Sequence, residues 1–135
     1  MKIDRLIAAS AFILLIGIGA ASGQMAKPTE NKGLIVDSLT SIDLGKQGLD
    51  DYKIRQFRAR KITLAPNGIV AAHSHADRPG ITYLLEGSII EYRDGTPDRT
   101  LKAGDVVTET TDVNHWVENK GTVPAVLIAF DLFKQ

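Results

Sequence analysis

The side chains of this chain best suited to chemistry are three histidines. Two fall in the stretch AAHSHADRPGITYLLEG (71–87) and the third in DVNHWVEN (112–119). His73 and His75 stand two residues apart, and in a β-strand such residues project from one face. Their Cα atoms would lie about 6.6 Å apart, so both imidazoles can reach one ion at about 2.0–2.1 Å. Ser74 would point the other way. Simple alternation puts Ile69 and Ala71 on the histidine face, where the small Ala71 leaves room for a ligand. His115 is distant in sequence, as expected of a ligand from another strand. An HxH pair alone is a weak pointer to metal. The sequence has no cysteine, which excludes disulfides, thiolate metal sites and a cysteine nucleophile. Nitrogen and oxygen must hold any metal. No nucleophile elbow, phosphate loop or dinucleotide fingerprint is present. Acid–base work by a histidine without metal stays open.

Short strands would have to position these groups. Apolar residues come in brief bursts between turn signals: 34–39, 52–64, 69–75, 81–87, 88–93, 106–110, 114–119 and 125–133. APNG (65–68), ADRPG (76–80), DGTPD (94–98), KAGD (102–105) and KGTVP (120–124) punctuate them. The bursts are rich in Ile, Val, Thr, Tyr and Phe, which suit a pleated surface. Turn signals every 8–12 residues or so point to a sandwich or barrel. No helical periodicity is sustained, and there is no internal repeat. The expected fold is all-β: one small barrel or jelly roll.

The first residues have another purpose. MKIDRLIAASAFILLIGIGAASGQMA carries Lys2 and Arg5, then an uncharged apolar run from Leu6 to Ala21, then the small-x-small site Ala21-Ser22-Gly23. This is the layout of a secretory signal peptide. It predicts a leader over 1–23, a polar linker over 24–33, and one domain over 34–135. The mature protein is expected in the periplasm or secreted, without stable membrane contact. The alternative is an uncleaved anchor over residues 6–21, although spanning needs about 20 apolar residues. Sixteen basic and sixteen acidic residues balance to zero net charge, without the basic footprint that nucleic-acid binding leaves.

The motifs as a pair resemble those of the cupins. Gly68, His73, His75 and Gly87 match the first cupin motif, and Gly104, Asp105, His115 and Asn119 the second. The resemblance covers 68–119 by motif and the strands to the C-terminus by pattern. It implies a cupin barrel, or double-stranded β-helix, with His73, His75 and His115 facing one interior. In that family these positions commonly hold one divalent transition metal, here Fe, Mn, Zn, Ni or Cu. It also implies a homodimer, since cupins commonly pair through sheet edges.

The chain departs from the motif at one chemically important position. The family's fourth ligand, a glutamate seven residues before the closing glycine, is Gly80 here, and the proline before Gly104 is Ala103. Three neutral imidazoles leave the ion's double charge uncompensated. Such a centre favours an anionic, chelating ligand and is a stronger Lewis acid. Asp77 is a candidate replacement ligand, or a partner for Arg78. Thr82 and Leu84 continue the face of Gly80 toward the cavity, while Tyr83 and Trp116 face away and Glu86 is exposed. The expected function is a metal-dependent reaction on a small anionic organic molecule, of the kind three-histidine dioxygenases in the family catalyse. The alternatives are a non-enzymatic ligand- or metal-binding protein of the cell envelope, and a degenerate site that holds no ion.

Overall fold

The computed structural model describes residues 26–134. The expected leader over 1–23 and the first two residues of the expected linker over 24–33 lie outside the described residues. Eight strands follow: β1 (Lys32–Asp43), β2 (Arg55–Ser74), β3 (Gly80–Glu86), β4 (Ser88–Arg93), β5 (Arg99–Lys102), β6 (Val106–Glu109), β7 (Asn114–Glu118) and β8 (Ala125–Lys134). Among the described residues, two 3₁₀ turns, Gly45–Gln47 and Asp50–Tyr52, interrupt the β-structure. The all-β expectation holds, and the topology is a jelly roll.

β2 organises the roll because it changes partners along its length. Its first half pairs with β8 on one side and β1 on the other, and its second half pairs with β7. One sheet therefore runs β1-β2-β8-β3-β6 and the other β2-β7-β4-β5, every pairing antiparallel. The expected turn at 65–68 is in fact a bend inside β2, with Asn67 at φ 58°. Its backbone groups are satisfied by the residue just past β7: Asn67 N–H donates to the Asn119 carbonyl (2.8 Å), and Asn119 N–H to the Gly68 carbonyl (3.0 Å). The chain leaving a partner strand thus occupies the hydrogen bonds that an isolated turn would close within itself. β5 carries no clear alternation over its four residues and was not expected. β1 begins before 34 and runs past 39.

Inward-facing residues grade from apolar to polar along each strand. β3 presents Leu84, Thr82, then Gly80; β8 presents Leu127, Ala129, then Asp131; β6 presents Val107, then Glu109; β7 presents Val117, then His115. Leu64, Leu84, Ile89, Leu101, Val107, Val117, Ala125 and Leu127 form one buried core. The same strands, two residues further along, line a cavity of about 340 Å³. The core that holds the strands together thereby fixes the polar layer above it.

Candidate metal centre

His73 and His115 are directly opposite on β2 and β7, and His75 sits just past the end of β2. The pairing slips by one residue between Val70 and His73. Val70 opposes Val117, and His73 opposes His115, so Val70 shares the histidine face although it lies three residues before His73. The alternation expected for Ile69 is therefore wrong: Val70 and Ala71 line the cavity and Ile69 does not. A bulge at Ala71–Ala72 shifts the phase. The N-terminal segment satisfies the bulge, with Ala71 N–H donating to Asn31 Oδ1 (2.8 Å) and Ala72 N–H to the Pro28 carbonyl (2.9 Å).

The three Nε2 atoms converge. His73 to His75 is 3.1 Å, His75 to His115 is 3.0 Å, and His115 to His73 is 3.1 Å. The other ring nitrogens decide what those contacts are. His73 Nδ1 donates to the Ala71 carbonyl (2.8 Å), His75 Nδ1 to the Arg78 carbonyl (3.0 Å), and His115 Nδ1 to Glu91 Oε1 (2.6 Å). Carbonyl and carboxylate oxygens only accept, so each neutral ring carries its proton on Nδ1. Three bare Nε2 lone pairs then face one another, which is repulsive unless a cation sits among them. Burial lowers both the His73 and His75 imidazoles to about 4, so neither supplies that cation as a proton at neutral pH. The donor set fits a metal ion, and these three residues are the group of candidate ligands among the described residues.

Glu91 orients the third ring. It is 1% exposed and also accepts from Arg93 Nε (2.8 Å) and Arg99 Nε (2.6 Å). Burial pushes its carboxyl up, but the bonds from His115, Arg93 and Arg99 outweigh this and hold it at about 2. An ionised carboxylate behind a ligating histidine is the usual outer partner of a metal site. Sequence reading missed Glu91. The available signal was an acid on the same strand face as Ile89, a core position.

Gly80 leaves no room for the family's glutamate. A Cβ there would meet the Phe130 carbonyl oxygen at 2.6 Å and Asp131 Cβ at 3.1 Å. Its cross-strand neighbours are both acids, Glu109 on β6 and Asp131 on β8. Asp131 is engaged by arginines. Glu109 lines the cavity, accepts from Thr82 Oγ1 (3.3 Å) and lies 3.7 Å from His75 Nδ1. Burial raises its carboxyl above the ordinary range, against the pull of the nearby histidines and Thr82. Asp77, the expected substitute, is exposed and outside the candidate ligand group. Its carbonyl accepts from Arg55 instead, while Arg78 approaches Asp131. Thr82 reaches the cavity, but Leu84 is wholly buried in the core. Tyr83 and Glu86 are exposed, and Trp116 stacks on Tyr92 at 3.8 Å. Asn119, in the second motif, is structural: its Nδ2 donates to the Leu64 and Val123 carbonyls, both at 2.9 Å.

Comparison with known proteins places this geometry. The family model described as "Cupin domain" matches residues 60–131. Auxin-binding protein ABP19b of Prunus persica is 34% identical over 77 residues, covering 54% of this chain and 36% of that protein. The chain thus spans about a third of that relative's length. Among solved structures, the Schizosaccharomyces pombe Cnp3 cupin domain superposes with a TM-score of 0.62 at 13% identity, covering 78% of this chain and 65% of that one. A protein described as a predicted oxalate decarboxylase of Thermotoga maritima gives 0.60 at 22% identity, covering 79% and 93%. At these identities the structural matches speak to fold alone.

Proposed function

The chain belongs to the cupin domain family, and from that premise we propose that it uses His73, His75 and His115 to hold one divalent transition-metal ion and acts on a small anionic organic molecule in the adjoining cavity. The observation that carries the metal reading is the meeting of three unprotonated Nε2 atoms at 3.0–3.1 Å. Three imidazole nitrogens would suit iron, zinc, copper or nickel alike. When bound, such an ion supplies Lewis acidity and, if redox-active, electron transfer. The chain's own groups do the rest. Glu91 keeps the proton of His115 on Nδ1. Ile62, Val70, Val117 and Leu127 keep the cavity partly dry. Glu109 provides a largely enclosed carboxyl 3.7 Å from His75 Nδ1, which supports catalysis over simple ligand storage.

Metal analysis of the purified protein after reconstitution tests the reading. About one equivalent of a divalent transition metal is expected, and its loss in His73→Ala and His115→Ala without loss of β-structure by circular dichroism. Less than about a tenth of an equivalent in wild type would remove the metal reading. Consumption of oxygen or of a carboxylic acid by metal-loaded protein, and its reduction in Glu109→Gln, separates an enzyme from a binding protein. We also propose export, on the layout of residues 1–23. The mass of the mature protein recovered from the cell envelope or medium would reveal cleavage near residue 24, or its absence.

A further inference from the structure

One wall of the cavity carries more positive charge than the structure neutralises. Asp131, 2% exposed, is shared by three guanidinium groups. Arg58, its cross-strand neighbour, donates through Nε (2.7 Å) and Nη2 (3.2 Å). Arg60 donates through Nη2 (2.6 Å), and Arg78 Nε stands 3.8 Å away. Three positive charges thus face one negative charge. Arg58 is not among the residues that line the cavity, and its guanidinium lies over the Phe133 ring at 3.8 Å. Arg60 and Arg78 line the cavity together with the histidines. Glu109 is the one acid in the cavity lining, and it makes no ion pair with either arginine among the described residues.

Arg60 adds a second detail to this imbalance of charge. Its Nε is buried and has no hydrogen-bond partner among the described residues. A buried donor without an acceptor is unfavourable, and more so when it belongs to a charged group. A guanidinium is also the group best shaped to receive a carboxylate. The rest of the lining is largely apolar, with Leu34, Ile62, Val70 and Leu127. We propose that Arg60, assisted by Arg78, is the carboxylate-receiving group of the cavity, and that the ligand is a small organic acid with an apolar body. This deepens the functional reading above and rests on the cavity being the ligand site. It does not require the ion, because the receptor is a side chain.

The test compares isobutyrate, isobutyramide and inorganic phosphate by calorimetry on the full protein, metal-stripped and metal-loaded. Wild type should bind the acid about tenfold or more tightly than its neutral isostere, in both metal states, and should prefer it to phosphate. Arg60→Met should shrink the acid-to-amide ratio to below about threefold while leaving metal affinity unchanged. Arg60→Lys, which keeps a cation on Asp131, serves if the methionine variant does not fold, and should also lose most of the ratio. Equal binding of acid and amide, a preference for phosphate, no binding of the acid at millimolar concentration, or a ratio unchanged in both variants overturns the proposal. A protein that takes up no metal yet prefers the acid through Arg60 would sink the metal reading and leave this one standing.

Discussion

Glu91 determines which nitrogen of His115 is available. Its bond from Nδ1 leaves Nε2 bare, and the bonds from Arg93 and Arg99 keep the carboxylate ionised in a buried place. Glu91→Gln is expected to weaken divalent-metal binding by roughly 10–100-fold, measured by calorimetric titration. Its melting temperature should fall too, because two arginines lose their anion. An unchanged affinity would mean that the ring is oriented by packing alone. Protonation sets a second expectation. The His73 and His75 imidazoles sit at about 4 in the folded protein against an ordinary value of 6.5. The unfolded chain therefore takes up protons first, and metal-free protein loses stability as pH falls from 6.5 toward 4. The Glu91 carboxyl, at about 2 against 4.5, adds stability above pH 4.5 that is lost as pH falls toward 2. Melting temperatures of metal-free protein should be level above about pH 7 and decline below pH 6.5. A flat profile through that window would contradict the burial of these rings. None of these partners is legible in sequence, because Glu91 meets His115 only through pairing of β4 with β7.

At Gly80, β3 lies too close to β8 for a side chain. The sequence shows the missing glutamate but not its reason, which is the Phe130 carbonyl oxygen standing where a Cβ would go. Gly80→Ala is expected to destabilise by roughly 1–3 kcal/mol through forced separation of the two strands, read as a lower midpoint in denaturant. Gly80→Glu should share that loss rather than restore a tighter metal site. A tolerated, tighter-binding glutamate variant would show that the strands part easily there. Gly87 in the same motif answers to geometry as well: its φ is 75°, and a Cβ would meet the Pro124 carbonyl oxygen at 2.7 Å. The bulge at Ala71–Ala72 and the bend at Asn67 are the element-scale features that strict alternation misses. Each exists because β2 passes from one partner to the next.

The molecule as a whole leaves apolar surface uncovered. β1 pairs on one side only, and its Ile35, Leu39 and Ile42 are about half exposed or more. On the outer face, Ile81 is beside Phe130 and Tyr83 beside Val106, all exposed. Contiguous apolar patches of this kind mark association sites. We propose a homodimer that covers this surface. Light scattering with size-exclusion chromatography should return twice the chain mass for wild type, and a monomer for Ile81→Glu combined with Phe130→Glu. A wild-type monomer at micromolar concentration would dispose of the dimer.

By itself the sequence determined the class of fold, the two motifs, the three histidines and the absent glutamate. These are local facts: alternation of period two, turn residues, and short fixed spacings. Only the tertiary structure decided that the three lone pairs meet, that Glu91 orients one of the rings, that Glu109 and Asp131 flank Gly80, and that Arg60 lines the cavity with a buried Nε that has no partner among the described residues. Each of those joins residues on different strands. Their meeting depends on register, bulges and the exchange of partners along β2, which no single strand's pattern encodes.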